Sequence, residues 1–398
     1  MAKTIITGPM IFTAAGILIF VAYPPLLERF PDWTKLGVVD PFFLLVGEIT
    51  LAIVLFSEST HIRLEGGRKE DKMVLRLLFI ALPLAVVAGA AIAMVLLTDM
   101  PIWEAAVLAT ILAPTDASLG LAVVQSKRVP RPIRQVLTLE GGLNDGLGVP
   151  LLLFFIALSA AEVTGGLQSW LLFALRQIGF GVLVGLGVGR LGGKLMVSAD
   201  QRNWMDGKSR QLVMLSIAVL AWALAEHGLH GNGFIAAFYA GIGLRLSYRS
   251  SDQPRPHFDE AWVDLLIFFV FFYFGISAGP MLSFLTGQFW LYAILSLTLV
   301  RMVPVAISMI GVGLRPASTL FLGWFGPRGL AAIILALIYL KEVEQIDVNT
   351  TIILAGTATV LLSIVAHGAS ANPAINVYTR RLTDLKPGDP EYAADGAD

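Results

Sequence analysis

Long apolar segments recur along the chain, separated by short polar connections. They fall at about residues 5–25, 40–57, 74–97, 103–125, 134–160, 168–197, 211–227, 231–248, 262–284, 288–313, 318–340 and 350–372. A helix needs about 20 apolar residues to cross the roughly 30 Å hydrocarbon core of a bilayer. The pattern therefore predicts an all-α integral membrane protein with about twelve transmembrane helices, the first of which is a retained helix and not a signal peptide.

Lys and Arg are concentrated in alternate connections between these segments. The connections after the second, fourth, sixth and eighth segments are basic, whereas those between them carry few Lys or Arg residues. Basic loops are retained on the cytoplasmic side. We therefore predict a multi-pass protein of the cell (inner) membrane with both termini in the cytoplasm, and we expect the polar end LKPGDPEYAADGAD to be a disordered tail.

Two proline-containing interruptions occupy matching places in two groups of three segments. The third, fourth and fifth segments are predicted to cross the membrane outward, inward and outward. The tenth, eleventh and twelfth are predicted to cross it inward, outward and inward, and such opposite topologies are what an inverted repeat requires. The middle segment of each group is interrupted, by LAPTDASLG at 112–120 and by FGPRGLAA at 325–332. Proline removes a backbone donor and disfavours helix before itself. The sequence thus predicts two crossing broken helices, which in transporters surround the binding site.

Composition narrows the class further. Of 398 residues, 56% are hydrophobic and 14% are charged, against about 25% charged in soluble domains. The absence of cysteine excludes disulfides and thiolate metal sites, and a net charge of -1 without a basic run gives no reason to expect nucleic acid. No nucleophile elbow or His-Glu metal pattern is present, so we expect neither an enzyme nor a cofactor.

Four charged residues fall near the middle of apolar segments, where each costs several kcal/mol and usually faces a cavity or a partner. They are two acids and two bases contributed by both repeats, namely Asp116, Asp145, Arg301 and Arg328. Buried ion pairs that only fix helix packing are the structural alternative for any one of them. The whole set, beside two broken helices, favours an ion pathway.

Spacing separates the roles of the polar residues in LEGGLNDGLGVP, residues 139–150. Glu140 and Asn144 are four residues apart and share a helix face, whereas Asp145 points roughly 140° away from Glu140. We expect Glu140 to pair with Arg301 or, as second choice, with Arg328. Asp145 is then left to face a water-filled path.

A partly desolvated carboxylate such as that of Asp145 favours its neutral form, and a nearby cation favours its charged form. The same oxygens therefore hold either a proton or an alkali cation. Thr115 and Asp116 add oxygen ligands, unwinding at Pro114 is expected to free backbone carbonyls, and Asn144 adds an amide without a second titrating charge. This arrangement predicts exchange of one cation for one proton.

Several motifs taken together resemble those of the monovalent cation:proton antiporters, in the electroneutral branch that includes bacterial NhaP-type Na+/H+ antiporters and animal sodium/proton exchangers. The matching elements, which span nearly the whole chain, are Thr115-Asp116, Glu140-x-x-x-Asn144-Asp145, Arg301 in LVRMVPVAI, GPRGLAA at 326–332 and FFVFFYFGISAG at 268–279.

The resemblance implies a division of the chain. It implies a dimerisation domain of a homodimer at 1–73 and 201–287, an ion-binding core at 74–160 and 288–372, a linker helix at 161–200 and a cytoplasmic tail at 373–398. It also implies that Asp145 is the essential carrier, that Asp116 and Thr115 lie in the Na+ site, and that Glu140 pairs with an arginine. Relatives often have thirteen helices, and the first is expected to be absent or lost upstream of Met1.

Two residues depart from the family pattern; the first bears on how sharply the fourth segment unwinds, and the second leaves the ion preference open. Ala117 stands where relatives often have proline, and Gly141 stands where serine is common, which removes a possible hydroxyl ligand. Na+, Li+ and K+ therefore remain candidates. A K+/H+ antiporter and a cation-coupled symporter on a similar inverted-repeat fold are the alternatives within transport. A channel is disfavoured, because conduction requires weak binding at several sites.

Overall fold

A computed structural model describes residues 7–22, 41–61, 69–97, 100–116, 119–164, 166–249, 260–343, 349–382 and 389–391. Within these ranges the regular structure is helical, and no strand occurs in them. Each of the predicted apolar segments overlaps a helix, which confirms the all-α prediction.

The helices are numbered by the apolar segment to which they belong, and the letters a and b mark the two parts of an interrupted helix. They are α1 (Gly8–Ala22), α2 (Pro41–His61), α3a (Lys69–Arg76) and α3b (Leu82–Leu96) joined by a π-helical turn, α4a (Ile102–Ile111), α4b (Leu121–Val124), α5 (Arg131–Thr164), α6 (Leu167–Gln201), α7 (Gly207–Ala223), α8 (Gly233–Arg249), α9 (Glu260–Met281), α10a (Gly287–Leu297), α10b (Leu299–Ser308), α11a (Pro316–Trp324), α11b (Leu330–Glu342) and α12 (Thr350–Arg381).

Seven of the described helical stretches are long and apolar enough to cross a membrane. They start at Glu70, Arg131, Leu167, Gly207, Trp262, Gly287 and Thr350. In hydrocarbon a helix pairs its backbone groups internally, which is why such segments form helices. The chain is thus a multi-pass membrane protein, and the number of spans stays a prediction.

The two predicted interruptions are present. Helix α4 ends at Ile111 and resumes at Leu121, and helix α11 ends at Trp324 and resumes at Leu330. Two further interruptions were not predicted, the π-helical turn between α3a and α3b and a break at Thr298 between α10a and α10b. There the Thr298 hydroxyl donates to the Ile294 carbonyl at 2.6 Å, a bond that competes with the helical backbone pattern.

Contacts divide the chain into two compact units. The first comprises Met1–Asp40, Leu64–Asn144 and Phe271–Asp398, and the second comprises Pro41–Arg63 and Asp145–Val270. The first unit contains both broken helices. The assignment of particular helices to dimerisation stays a prediction.

Two boundaries at the C-terminus differ from expectation. Helix α12 continues to Arg381, beyond the predicted limit at 372, and Asp389–Glu391 is packed where a disordered tail was expected. The Glu391 carboxylate, which is buried, accepts from the Arg315 N–H at 2.8 Å and from the Ser318 hydroxyl at 2.7 Å. These donors lie at the start of α11a, where a helix N-terminus favours a negative charge.

In the second unit, α6 packs against α8 through glycines spaced four residues apart. A Cβ atom on Gly185 would overlap the carbonyl of Ala236, and one on Gly189 would overlap the carbonyl of Ala240. Gly187, on another face of the same helix, has nothing within 4 Å of its Cβ position. Small residues at this spacing allow close helix approach, so these glycines form the packing surface of α6 against α8.

We expect Gly189→Ala to lower the melting temperature of the purified protein, because the added methyl group meets backbone and overpacking costs about 1–3 kcal/mol. Gly187→Ala is the matched control and should leave the melting temperature unchanged or raise it, since alanine is the better helix former. Equal effects of the two substitutions would contradict close packing at Gly189.

Candidate functional site

The two broken helices meet at their interruptions, within the first unit. The Asp116 N–H, in the α4 interruption, donates to the Pro327 carbonyl, in the α11 interruption, at 2.8 Å. Helix ends leave unpaired N–H and C=O groups. Four such ends therefore come together around the residues that the sequence places at mid-depth.

The Asp116 carboxylate lies at the start of α11b. Its Oδ2 accepts from the Leu330 N–H at 2.6 Å, and Asp116 is buried. A carboxylate at this position satisfies a free helical donor and interacts favourably with the helix dipole. Gly329 makes the approach possible, because a Cβ atom there would overlap Asp116 Oδ2.

Arg328 performs the complementary role at the end of α4a. Its Nη1 donates to the carbonyls of Ala113 and Pro114 at 2.7 and 3.0 Å, and the side chain is fully buried. A cation is favoured at a helix C-terminus, where carbonyls lack helical partners.

This position of Arg328 bears on two expectations. Among the described residues Glu140 pairs with Arg301, the first choice, and Arg328, the second choice, binds carbonyl groups instead. The carbonyls of Ala113 and Pro114, which unwinding was expected to free for a cation, instead bind the guanidinium. The physical reason in both cases is that a resident cation stabilises the open end of α4a.

Glu140 contacts Arg301, the first of the two arginines considered for it. Glu140 Oε1 lies 2.6 Å from Arg301 Nη1, and Oε2 accepts from Nη2 at 2.8 Å. The two side chains are 2% and 4% exposed. Such a bidentate, desolvated pair is strong and geometrically specific. Gly326 leaves room for it, since a Cβ atom there would overlap the guanidinium.

Asn144 connects α5 to the α4 interruption. Its Nδ2 donates to Thr115 Oγ1 at 2.7 Å, and both residues are buried. Among the described residues, none donates a hydrogen bond to Asn144 Oδ1, which is buried as well. A buried amide oxygen normally has a partner. This oxygen, with the second lone pair of Thr115, fits the neutral oxygen ligands of an alkali cation.

Asp145 follows Asn144 in the same uninterrupted helix and begins the second unit. It is 7% exposed. Successive helical residues differ by about 100° around the axis. The helix therefore holds the Asp145 carboxyl group one residue from the Asn144–Thr115 link, on an adjoining face.

A small cavity lies beside Thr115 and Asp116, within the first unit. Its volume is about 10 Å³, and its remaining lining is formed by Gly120, Val123, Val124, Leu137, Phe325 and Pro327. A space of roughly 10–15 Å³ corresponds to a single water-sized probe. The cavity thus suits one dehydrated monovalent cation or one water molecule.

Sequence reasoning missed two polar residues that contact the α11 interruption. The Arg328 N–H donates to Ser363 Oγ at 2.7 Å, and His367 Nε2 lies 2.9 Å from the Trp324 carbonyl. Both belong to α12 and are buried. Their spacing of four residues, which places them on one face of α12, was the available indication.

The comparisons with known proteins all indicate the same protein family. Residues 2–377 match the family described as sodium/hydrogen exchanger, transmembrane. The chain is 24% identical over 343 residues to the K+/H+ antiporter NhaP of Alkalimonas amylolytica, an alignment that covers 83% of this chain and 56% of that protein. It is 26% identical over 354 residues to a Na+/H+ antiporter of Saccharomyces cerevisiae, covering 84% and 35% respectively.

The chain therefore spans about half or less of the length of these two curated relatives. Among solved structures, the sodium proton antiporter MjNhaP1 of Methanocaldococcus jannaschii matches with a TM-score of 0.69 and 20% sequence identity. The match covers 91% of this chain and 98% of that one. It confirms the inverted-repeat antiporter fold with its two crossing broken helices.

We expect Glu140→Gln to lower the thermal stability of the detergent-solubilised protein, by about 3–5 kcal/mol, because it leaves the buried Arg301 guanidinium without its counter-charge. Glu162→Gln, at an exposed position of the same helix, is the control and should melt like the wild type. A Glu140→Gln protein with unchanged melting but slowed transport would place Glu140 in the ion path instead.

Proposed function

Because the chain belongs to the transmembrane sodium/hydrogen exchanger family, we propose that it exchanges a monovalent cation, Na+ in the first place, for a proton across the membrane. Transport follows alternating access, in which the site opens to one side of the membrane at a time. The reaction is electroneutral, one cation for one proton. We assign the proton and the cation alternately to the carboxylate of Asp145.

The observation that carries this proposal is the buried hydrogen bond between Asn144, the residue that precedes Asp145 in the sequence, and Thr115. Hydrogen bonding to Asn144 leaves the Thr115 hydroxyl oxygen with a further lone pair, and Asn144 Oδ1 is buried next to it. Neutral oxygens of this kind replace the hydration shell of an alkali cation without adding charge. A single carboxylate then balances a single cation.

Two further acids of the polar plane have structural contacts whose loss would disturb the fold. Glu140 forms the bidentate pair with Arg301. Asp116 accepts from the first N–H of α11b, so we assign it to orienting the cation site as well as to ligation. Protonating either group would weaken a structural contact, whereas a carrier must lose and regain its proton in each cycle.

Two finer features belong to the same proposal. The alternation of basic loops supports cytoplasmic termini and a location in the cell (inner) membrane. We also propose a homodimer formed through residues 1–73 and 201–287, as the family resemblance implies.

Alternative substrates are K+ and Li+, and the relative named as a K+/H+ antiporter makes K+ the first of these to test.

Transport by the purified protein in liposomes tests the proposal. When the Na+ concentration is higher inside the liposomes than outside, Na+ should leave and protons should enter, so that the lumen acidifies. Clamping the membrane potential at zero with valinomycin and K+ should not change the rate of this pH change. Proton movement in the same direction as the cation would indicate the symporter. A rate that depends on the potential would overturn one-for-one exchange.

Asp145→Asn should abolish this exchange while the protein folds normally, because the amide keeps the size of the side chain but carries neither a charge nor a titratable proton. The expected loss is more than about 100-fold, as for removal of a group that the reaction uses directly. Glu162→Gln serves as the control and should transport at the wild-type rate. Exchange that persists in Asp145→Asn would remove Asp145 from this role.

A further inference from the structure

Three polar residues of α12 lie along one face and contact both ends of the α11 interruption. Ser363, His367 and Ser370 are spaced by four and three residues, so they share a face of the helix. Ser363 and His367 are 0% and 1% exposed. We refer to Ser363, His367 and Ser370 as the α12 clamp.

The clamp binds the last residue of α11a. His367 Nε2 lies 2.9 Å from the Trp324 carbonyl oxygen, and Nδ1 lies 3.0 Å from the Ser363 carbonyl oxygen. A carbonyl only accepts, so the ring nitrogen that carries the hydrogen donates to the carbonyl that it faces. The Trp324 indole donates to Ser370 Oγ at 2.9 Å. The Trp324 and His367 rings pack with their centroids 5.0 Å apart. The end of α11a is thereby fixed through both its backbone and its side chain.

The clamp also binds the far side of the interruption. Ser363 Oγ accepts from the Arg328 N–H at 2.7 Å and lies 3.1 Å from His367 Nδ1. In the tautomer with the ring hydrogen on Nε2, Nδ1 is an acceptor and the Ser363 hydroxyl donates to it. The contacts then form a continuous series from the Trp324 carbonyl through His367 and Ser363 to the Arg328 backbone.

This series orients the residues that hold the α4 interruption. The Arg328 side chain binds the Ala113 carbonyl, and the neighbouring Pro327 and Leu330 bind the Asp116 backbone and carboxylate. A shift of the backbone at Arg328 would therefore move these contacts beside Thr115 and Asp116. No group of the clamp itself lies among the residues that line the cavity there.

We propose that Ser363 and His367 are positioning residues of the exchange reaction, which set the geometry of the cation site by fixing both ends of the α11 interruption. The expected effect on cation binding rests on the proposed function. The expected effect on the backbone rests on the hydrogen-bond geometry alone. Disrupting the clamp should weaken cation binding in transport and loosen the backbone between Trp324 and Leu330.

The disrupting variants are Ser363→Ala and His367→Leu, which remove the hydrogen bonds of the clamp. The conservative variants are Ser363→Thr, which keeps a hydroxyl group, and His367→Gln, which keeps one donor and one acceptor. Thr359→Val is the matched control. Thr359 is a buried hydroxyl one turn earlier on α12, and its hydroxyl donates to the Ala355 carbonyl of its own helix at 2.7 Å.

In the liposome assay, Ser363→Ala and His367→Leu should raise the apparent KM for Na+ by about tenfold, as expected for leaving a buried donor without its partner, with the maximal rate within about twofold of wild type. The conservative variants should restore most of the wild-type KM, and Thr359→Val should not change it. An unchanged KM in both disrupting variants, or an equal rise in Thr359→Val, would overturn the positioning role.

Hydrogen exchange measured by mass spectrometry gives a readout that does not depend on transport. Peptides that contain residues 325–330 should exchange faster in Ser363→Ala and His367→Leu than in the wild type and in Thr359→Val. Unchanged protection would overturn the inference even if transport fell. If the wild type shows no exchange of any cation for protons, the proposed function fails, and the protection pattern still decides whether the clamp holds this segment.

Discussion

A helix that stops inside a bilayer leaves N–H and C=O groups in hydrocarbon, where each unsatisfied group costs several kcal/mol. In this protein two helices stop at the same place, and each supplies what the other lacks. Arg328 of the α11 interruption binds the carbonyls at the end of α4a, and Asp116 of the α4 interruption binds the first N–H of α11b. This reciprocal capping is the constraint on which the rest of the site depends.

The capping also divides the buried charges by role. Glu140 and Arg301 neutralise each other, and Arg328 and Asp116 are used at helix ends. Asn144, whose amide donates to Thr115 Oγ1, directly precedes Asp145 in α5. In the proposed mechanism, the buried charges that stabilise the fold are on other residues than the one carboxylate whose protonation changes during transport. Each transport cycle therefore leaves the structural contacts intact.

The apolar pattern was sufficient to predict the helices, because a bilayer requires each span to be long, apolar and internally hydrogen-bonded. Pro114 and Pro327 indicated the interruptions, and spacing favoured Arg301 for Glu140. The carbonyl contacts of Arg328 and the bonds of Ser363 and His367 could not be predicted, because they depend on which helix ends meet in space. The apolar segment ends at about residue 372, yet α12 continues through Pro373 to Arg381.

The central claim is that one carboxylate binds either a proton or a cation. The most direct test is the initial rate of 22Na+ uptake into liposomes, measured against Na+ concentration at several external pH values. Direct competition predicts that the apparent KM for Na+ rises by about tenfold for each unit of pH lowered in the acidic range, while the maximal rate stays constant. A maximal rate that falls with acidification while the KM stays constant would contradict the account.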